Sequence, residues 1–322
     1  MAFPTAYSDI MATTIESRTR KIQDNVTKNN AALAYMERSG NVVTVSGGSE
    51  IIEEVSFAEN ANAGWYSGYD LLPVAPQDVI GAARYDLKQA AVPVIMSGLE
   101  ELKNAGKEQM IDLMDARLNV AEATMANLIA AAIYSDGSLA GGKQLIGLKA
   151  AVPVNPATGT YGGIDRATWA FWRSKSTTMG AAATISTIAP AMNTMWASLN
   201  RGSDKPNLIL ADDIMWGIFM GSLQPQQRFT DPKTADMGFN AIKYMSADFV
   251  LDGAIGGFCD AKTMFFLNTK FLKFRPHSAR NMVPLNPSRR YAINQDAEVA
   301  ILAFAGNMTS SGTQFQGRLT SP

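Results

Sequence analysis

The chain has 322 residues, room for roughly two cores at ~150 residues per domain or for one elaborate domain. Charged residues make up only 18%, with 28 Lys and Arg against 29 Asp and Glu. The surface is therefore uncharged polar or covered by something, and no global field draws the chain onto DNA or an anionic membrane. A single cysteine, Cys259, and a single histidine, His277, exclude an internal disulfide and a multi-histidine metal site.

Residues 1–46 read as a mostly polar arm, without the apolar core of a secretory signal. Within it, DIMATTIESRTRKIQDNVTKNNAALAYMERSG is helix-capable. Ile10, Thr14, Ser17 and Lys21 form no continuous apolar stripe, so such a helix needs a partner, and an arm lying on other chains supplies one. From Glu50 the texture changes. Ile51, Glu53 and Val55 alternate with Ile52, Glu54 and Ser56, and the Asn, Ala and Gly cluster at 60–64 is a turn signal. This predicts a hairpin with Trp65, Tyr66 and Tyr69 at or near its tip. With both faces wet, it requires a neighbour. Glu50, Glu53 and Glu54 raise the question of a carboxylate pair, but on a strand Glu53 and Glu54 point to opposite faces, which leaves a solvated or interfacial hairpin.

The clearest element runs over 98–134, where Met114, Leu118, Ala121, Met125, Leu128 and Ala132 recur at helical spacing. The helix would extend roughly 50 Å, with Gly106 marking a bend or a late start. It ends at DGS and the loop LAGGKQ. The stretch 176–200 holds no charge, but Pro190 and its many Ser, Thr and Asn residues argue against a membrane span. NLILAD reads as a buried strand, and DIMWGIFMGSLQ as a helix capped by Asp212 or Asp213. ADFVLDG, TMFFLNT, FLKFRP and AEVAILAFAGNM make the last third strand-rich.

Four features bear on chemistry. Gly137 to Gln144 matches part of a phosphate loop, but Gln144 stands where a magnesium-binding Ser or Thr belongs, and the loop ends a helix instead of opening one. A nucleotide-dependent enzyme would rest on Gly142, Lys143 and Asp212. His277 has no Ser or Cys partner in a nucleophile motif, and Cys259, without a second thiol or a cationic neighbour, reads as a small buried hydrophobe. The densest cluster is GIDRATWAFWR, 163–173. Asp165 caps a short helix there if one forms, placing Trp169 and Trp172 on one face; an extended segment puts Trp169 with Phe171 and Trp172 opposite. A stacking platform for rings is outweighed by a packing anchor, because aromatics bury large area.

The order of these pieces, above all GGIDRATWAFWR at 162–173, FLNTK at 266–270 and GNMTSS at 306–311, resembles the major capsid proteins of tailed bacteriophages over about residues 40–320. The resemblance implies an α+β, Hong Kong 97-type capsid fold: an N-terminal arm, 1–46; an extended hairpin loop, 47–88; a peripheral domain with a spine helix, 89–149; an axial domain, 150–264; and strands returning to the peripheral domain over 265–322, the last a candidate for the axial domain. It further implies self-assembly into hexamers and pentamers of an icosahedral shell around double-stranded DNA, without sequence-specific contact. A portal protein and separate scaffolding and cement proteins would be partners, and assembly would take place in the bacterial host cytoplasm, with no cofactor and no membrane. Trp65, Tyr66, Tyr69, Trp169 and Trp172 are the candidate inter-subunit contacts. A non-viral compartment shell of the same fold is the alternative. Some relatives weld a hairpin lysine to an asparagine; residues 50–86 hold no lysine and Lys88 lies at the base, so no such cross-link is expected.

Overall fold

The computed structural model describes residues 30–72, 74–97, 99–100, 107–223, 241–253, 257–285 and 297–322. The expected arm over 1–29 and the bend at Gly106 lie outside the described residues. Helix α1, Ala31–Arg38, is begun by Asn30, whose side-chain oxygen accepts from the Leu33 amide at 3.0 Å. Ala31, Ala32, Leu33 and Met36 are buried in the subunit's own core, and Val42 and Val45 bridge to Phe274 and His277. This end of the expected arm therefore packs on its own chain. The run AALAYM supplies the apolar face that the polar segment before it lacks.

Strands β1, Glu50–Ser56, and β2, Ile80–Asp86, form the antiparallel base of the hairpin. Their period-two pattern turns Ile51, Glu53, Val55, Ala83 and Tyr85 inward, where all five are buried. The base is thus dry on one face, and the expectation that both faces stay wet fails there. After Leu87 the chain continues as β3, Lys88–Ser97, a strand that no alternating pattern announces and that Pro93 argues against. Pro93 is tolerated because β3 pairs on one side only. On the open side the Ile95 carbonyl accepts from Arg117 at 2.6 Å.

Helix α2, Lys107–Ile133, spans 27 residues, about 40 Å at 1.5 Å per residue. Its buried line is Leu118, Ala121, Met125, Ile129 and Ala132. Leu128, expected on that line, is 44% exposed, because a step of three followed by two steps of four carries the face to Ile129; the Met114 side chain lies outside the described set. Beyond the helix come a short ladder, β4, Thr160–Tyr161, with β5, Ile164–Asp165, and then a six-stranded sheet.

That sheet comprises β6, Lys175–Thr178; β7, Leu208–Ala211; β8, Ala241–Tyr244; β9, Ala247–Leu251; β10, Thr263–Leu267; and β13, Gly317–Thr320, in the order β6-β13-β10-β7-β9-β8. Helices α3, Ile188–Leu199, and α4, Asp213–Leu223, cover one face. Asp212 caps α4, its Oδ1 accepting from the Met215 amide at 2.9 Å. The chain leaves this sheet through Asn268–Phe271 for β11, Leu272–Pro284, and β12, Ala297–Ser310, which with β3 form a three-stranded sheet of order β11-β12-β3. It returns at β13, so the last strand joins the six-stranded sheet.

Candidate functional site

The two ends of the hairpin differ. At the base, the Glu53 carboxylate is 4% exposed and accepts from four donors: Lys273 Nζ at 3.1 Å, Arg275 Nε at 2.9 Å and Nη2 at 2.6 Å, and Thr309 Oγ1 at 2.9 Å. Burial alone pushes this carboxyl up, but the bonds from Arg275, Lys273 and Thr309 together outweigh it and hold the group below its ordinary value. Tyr85 Oη donates to the Ser310 carbonyl at 2.8 Å, Asn307 Nδ2 donates to the Asp86 carbonyl at 2.8 Å, and the Arg84 amide donates to the Gly162 carbonyl at 2.9 Å. Three separate segments therefore grip the base. Glu53, expected to be solvated or at an interface, is instead an internal ion-pair centre. Its signal in the sequence was a lone carboxylate between Ile51 and Val55 on the strand's apolar face, with cations in FLKFRP to meet it.

The tip is the opposite. The last backbone link is the Phe57 amide to the Val79 carbonyl at 3.1 Å. Beyond it Trp65, Tyr66 and Tyr69 are 106%, 67% and 107% exposed, joined by Leu71 and Val74. A lone subunit thus holds several large apolar side chains in water.

In GIDRATWAFWR the two tryptophans part company. Asp165 caps the turn, accepting from the Ala167 and Thr168 amides at 3.0 and 3.2 Å, and a short 3-10 turn covers Ala170–Trp172. Trp172 is fully buried, its Nε1 donating to the Tyr161 carbonyl at 2.9 Å, and Thr313 Oγ1 donates to its carbonyl. It is a core residue of its own subunit, so its place among the candidate inter-subunit contacts is withdrawn. Trp169 stays 44% exposed and packs edge-on against Phe57, centroids 5.4 Å apart, and against Phe171 at 5.8 Å. Arg166 Nη2 donates to the Ala150 and Ala151 carbonyls at 2.7 and 2.9 Å, and its guanidinium lies 5.1 Å from the Tyr161 ring centre. Both arginines are occupied with backbone, since Arg173 donates to the carbonyls of Arg166 and Ala167 at 2.6 Å each. The cluster is a knot joining the hairpin to the body, not a platform for rings.

No protein-family model matches the chain, and no curated protein matches it. Solved structures do. The cyanophage A-1(L) capsid subunit superimposes with a TM-score of 0.66 at 17% identity, covering 87% of this chain and 90% of that one. The capsid of a native GTA particle gives 0.60 at 13% identity, over 89% of each. The chain has the Hong Kong 97-type capsid fold. The fold extends beyond phage heads: the holo-SrpI encapsulin of Synechococcus elongatus PCC 7942 matches at 0.50 with 9% identity, over 89% of this chain and 86% of that one.

Within this capsid fold, two of the residues proposed for nucleotide chemistry, Gly142 and Asp212, have structural partners, and Lys143 is exposed. Gly137, Ala140, Gly141 and Gly142 take left-handed backbone angles as the chain leaves the spine helix α2, and Gly142 offers its carbonyl to Lys88 Nζ at 2.8 Å. Both oxygens of Asp212 are engaged by amides, those of Met215 at 2.9 Å and Lys262 at 2.5 Å. Among the described residues, no three His, Cys, Asp or Glu side chains converge as a metal site. Cys259 is half-buried, and burial together with Asp252, Asp212 and Asp260 pushes its thiol up, away from reactivity. His277 Nδ1 accepts from the Ala279 amide at 3.1 Å, a local bond where the β11 register shifts. One buried acid escaped the sequence pattern: Asp252, 7% exposed, bonded by the Tyr134 hydroxyl at the end of α2 and pushed by burial up to about 6.

Proposed function

We propose that the chain is the major capsid protein of a tailed phage, closing hexamers and pentamers into an icosahedral shell around double-stranded DNA. The single observation that carries this reading is the fold match over about nine-tenths of both this chain and the cyanophage capsid subunit. Two features of the molecule support it. The hairpin tip presents Trp65, Tyr66 and Tyr69 to solvent, and aromatics of this kind dominate binding energy when a partner covers them. The charge balance of 28 against 29 suits a wall that encloses DNA without adhering to it. A portal protein, scaffolding and cement proteins, and assembly in the host cytoplasm follow from the same reading. Trp169, at the foot of the hairpin, joins the three tip aromatics as a candidate contact. The encapsulin match favours one second reading, a protein compartment that encloses cargo proteins.

Purifying native particles and measuring nuclease-protected DNA decides between the two: protected genome-length DNA supports a phage head, and particles filled with protein cargo overturn it. Replacing Trp65 or Tyr66 by Ala should leave the unassembled subunit folded and lower particle yield and thermal resistance. Unchanged particles would count against the hairpin as an interface.

A further inference from the structure

We propose that Glu53 is a positioning residue that fixes the direction in which the hairpin leaves its subunit, so that the hairpin's freedom begins only beyond Phe57 and Val79. This rests on the reading of the hairpin as an arm that meets a neighbouring copy. The β1–β2 ladder runs from Glu50 opposite Asp86 to Ser56 opposite Ile80, and Glu53 sits at its middle. Adhesion alone would be served by an apolar residue there, as its neighbours on that face, Ile51 and Val55, already show. Hydrophobic contact is non-directional, and a strand held by it alone can pivot on the sheet beneath.

A buried carboxylate behaves differently. Removing it from water costs several kcal/mol unless its oxygens keep well-aligned donors, and the planar Arg fork accepts only a narrow range of geometry. The donors come from two strands, Lys273 and Arg275 on β11 and Thr309 on β12, so any swing of the base withdraws Glu53 from at least one of them. The contribution is to direction more than to stability, since buried ion pairs are often replaceable by apolar groups at no loss. Past the ladder the holding contacts change character. Phe57 touches Trp169 and Phe171 by ring packing, at 5.4 and 5.8 Å, and Trp65 and Tyr69 touch nothing that covers them. The pivot thus lies at the Phe57–Val79 pair, where bonds from the body give way to ring packing; farther out the two arms are tied to each other by Asn62 Nδ2, which donates to the Ala75 carbonyl at 2.5 Å.

The test uses the unassembled full chain. Spin labels go at two exposed positions, Ile52 on the hairpin base and Thr194 on α3, each replaced by Cys in a Cys259→Ser chain. The distance distribution is then compared across Glu53→Gln, the apolar pair Glu53→Met with Arg275→Met, and the outward-facing control Glu54→Gln. The inference expects a single narrow distribution in the parent and the control, and a broadened or displaced one in both Glu53 variants. The apolar pair is the decisive arm, because it broadens even where urea unfolding shows parental stability. Amide exchange over 50–56 and 80–86 should rise at least about tenfold in the same variants. A distribution as narrow as the parent's, with or without a loss of stability, overturns the proposal and leaves Glu53 a structural residue. Assembly gives a separate readout: Glu53 variants should yield particles of mixed size, and the control uniform ones. If the parent chain forms no particles at all, the shell reading fails, while the spin-label result still decides the role of Glu53.

Discussion

Trp169 and Trp172 stand three positions apart in one cluster, and replacing each by Ala should separate a core residue from a surface one. A Trp side chain buries about 150–250 Å², which at about 25 cal/mol per Å² gives roughly 4–6 kcal/mol as an upper value. Trp172 has no exposed area and also satisfies the Tyr161 carbonyl, whose loss adds about 1 kcal/mol. Measured truncations of buried Trp cost about 3–5 kcal/mol, so Trp172→Ala should lower subunit stability by about 4 kcal/mol. Trp169 is 44% exposed, so at most about half of the area term applies, about 2–3 kcal/mol as an upper value. Urea unfolding of the unassembled chain, followed by circular dichroism so that lost Trp fluorescence does not interfere, reads the difference. Equal costs, or a cost below about 1.5 kcal/mol for Trp172→Ala, would refute the division of the cluster into a buried and a solvent-facing half.

Three further outcomes follow from named groups. Glu53 has its folded value held below the ordinary carboxylate value by Arg275, Lys273 and Thr309 despite burial; its stabilisation is full above about pH 4.3 and lost as pH falls through the lower folded value. Proteolysis at the hairpin base should therefore accelerate in acid, and Glu53→Gln should flatten that dependence. Asp252 has the opposite sign. Burial raises it to about 6, so the folded chain holds a proton between about pH 4 and 6 that the unfolded chain releases, and stability falls as pH rises across that window. Asp252→Asn keeps an acceptor for Tyr134 and should gain on the order of 2–3 kcal/mol at pH 7, read as a urea midpoint that falls less between pH 4 and 7 than the parent's, the remainder including Asp212, which burial also raises. Gly162 has φ +58°, and a Cβ there would sit 2.9 Å from the Tyr85 ring and 3.1 Å from Ala83; Gly162→Ala should cost more than about 1 kcal/mol and loosen the hairpin base in exchange measurements.

The long helix, the hairpin, the strand NLILAD and the Asp212 cap were legible because each is a local signal: a 3.6-residue or two-residue period, a turn cluster, or an acid before an apolar run. Strand β3 was not, since its run of Ala and Val carries no alternation and Pro93 speaks against a strand until one knows that it lies at an edge. The role of Glu53 was half legible. Its inward face follows from period two, but what awaited it there is set by Lys273, Arg275 and Thr309, more than 200 positions away. Trp172 failed for the same reason. Its spacing from Trp169 puts the two rings on one face of a helix and on opposite faces of a strand, and only the Tyr161 carbonyl and the packing beneath it decide which ring goes inside.

The two cores of this subunit share strands of the six-stranded sheet, and that has a mechanical consequence. Along β7, Leu208 and Leu210 face the core that holds the end of α2 and the hairpin base, and Ile209 and Ala211 face the core under α3 and α4. On β10, Phe265 and Leu267 go one way, and Met264 and Phe266 the other. A hinge between the two cores would have to pull one strand away from side chains packed on both of its faces, and interiors packed at near-crystal density resist such deformation. Strands β7 and β10 thus couple the two cores mechanically. If, as proposed, one sequence serves in both five-fold and six-fold rings, the difference between them would be absorbed in segments outside those coupled cores. Among the described residues the part that meets this condition is the hairpin past Phe57 and Val79. The pin at Glu53 and the ring contacts of Trp169 mark where the stiff body ends and the adaptable arm begins.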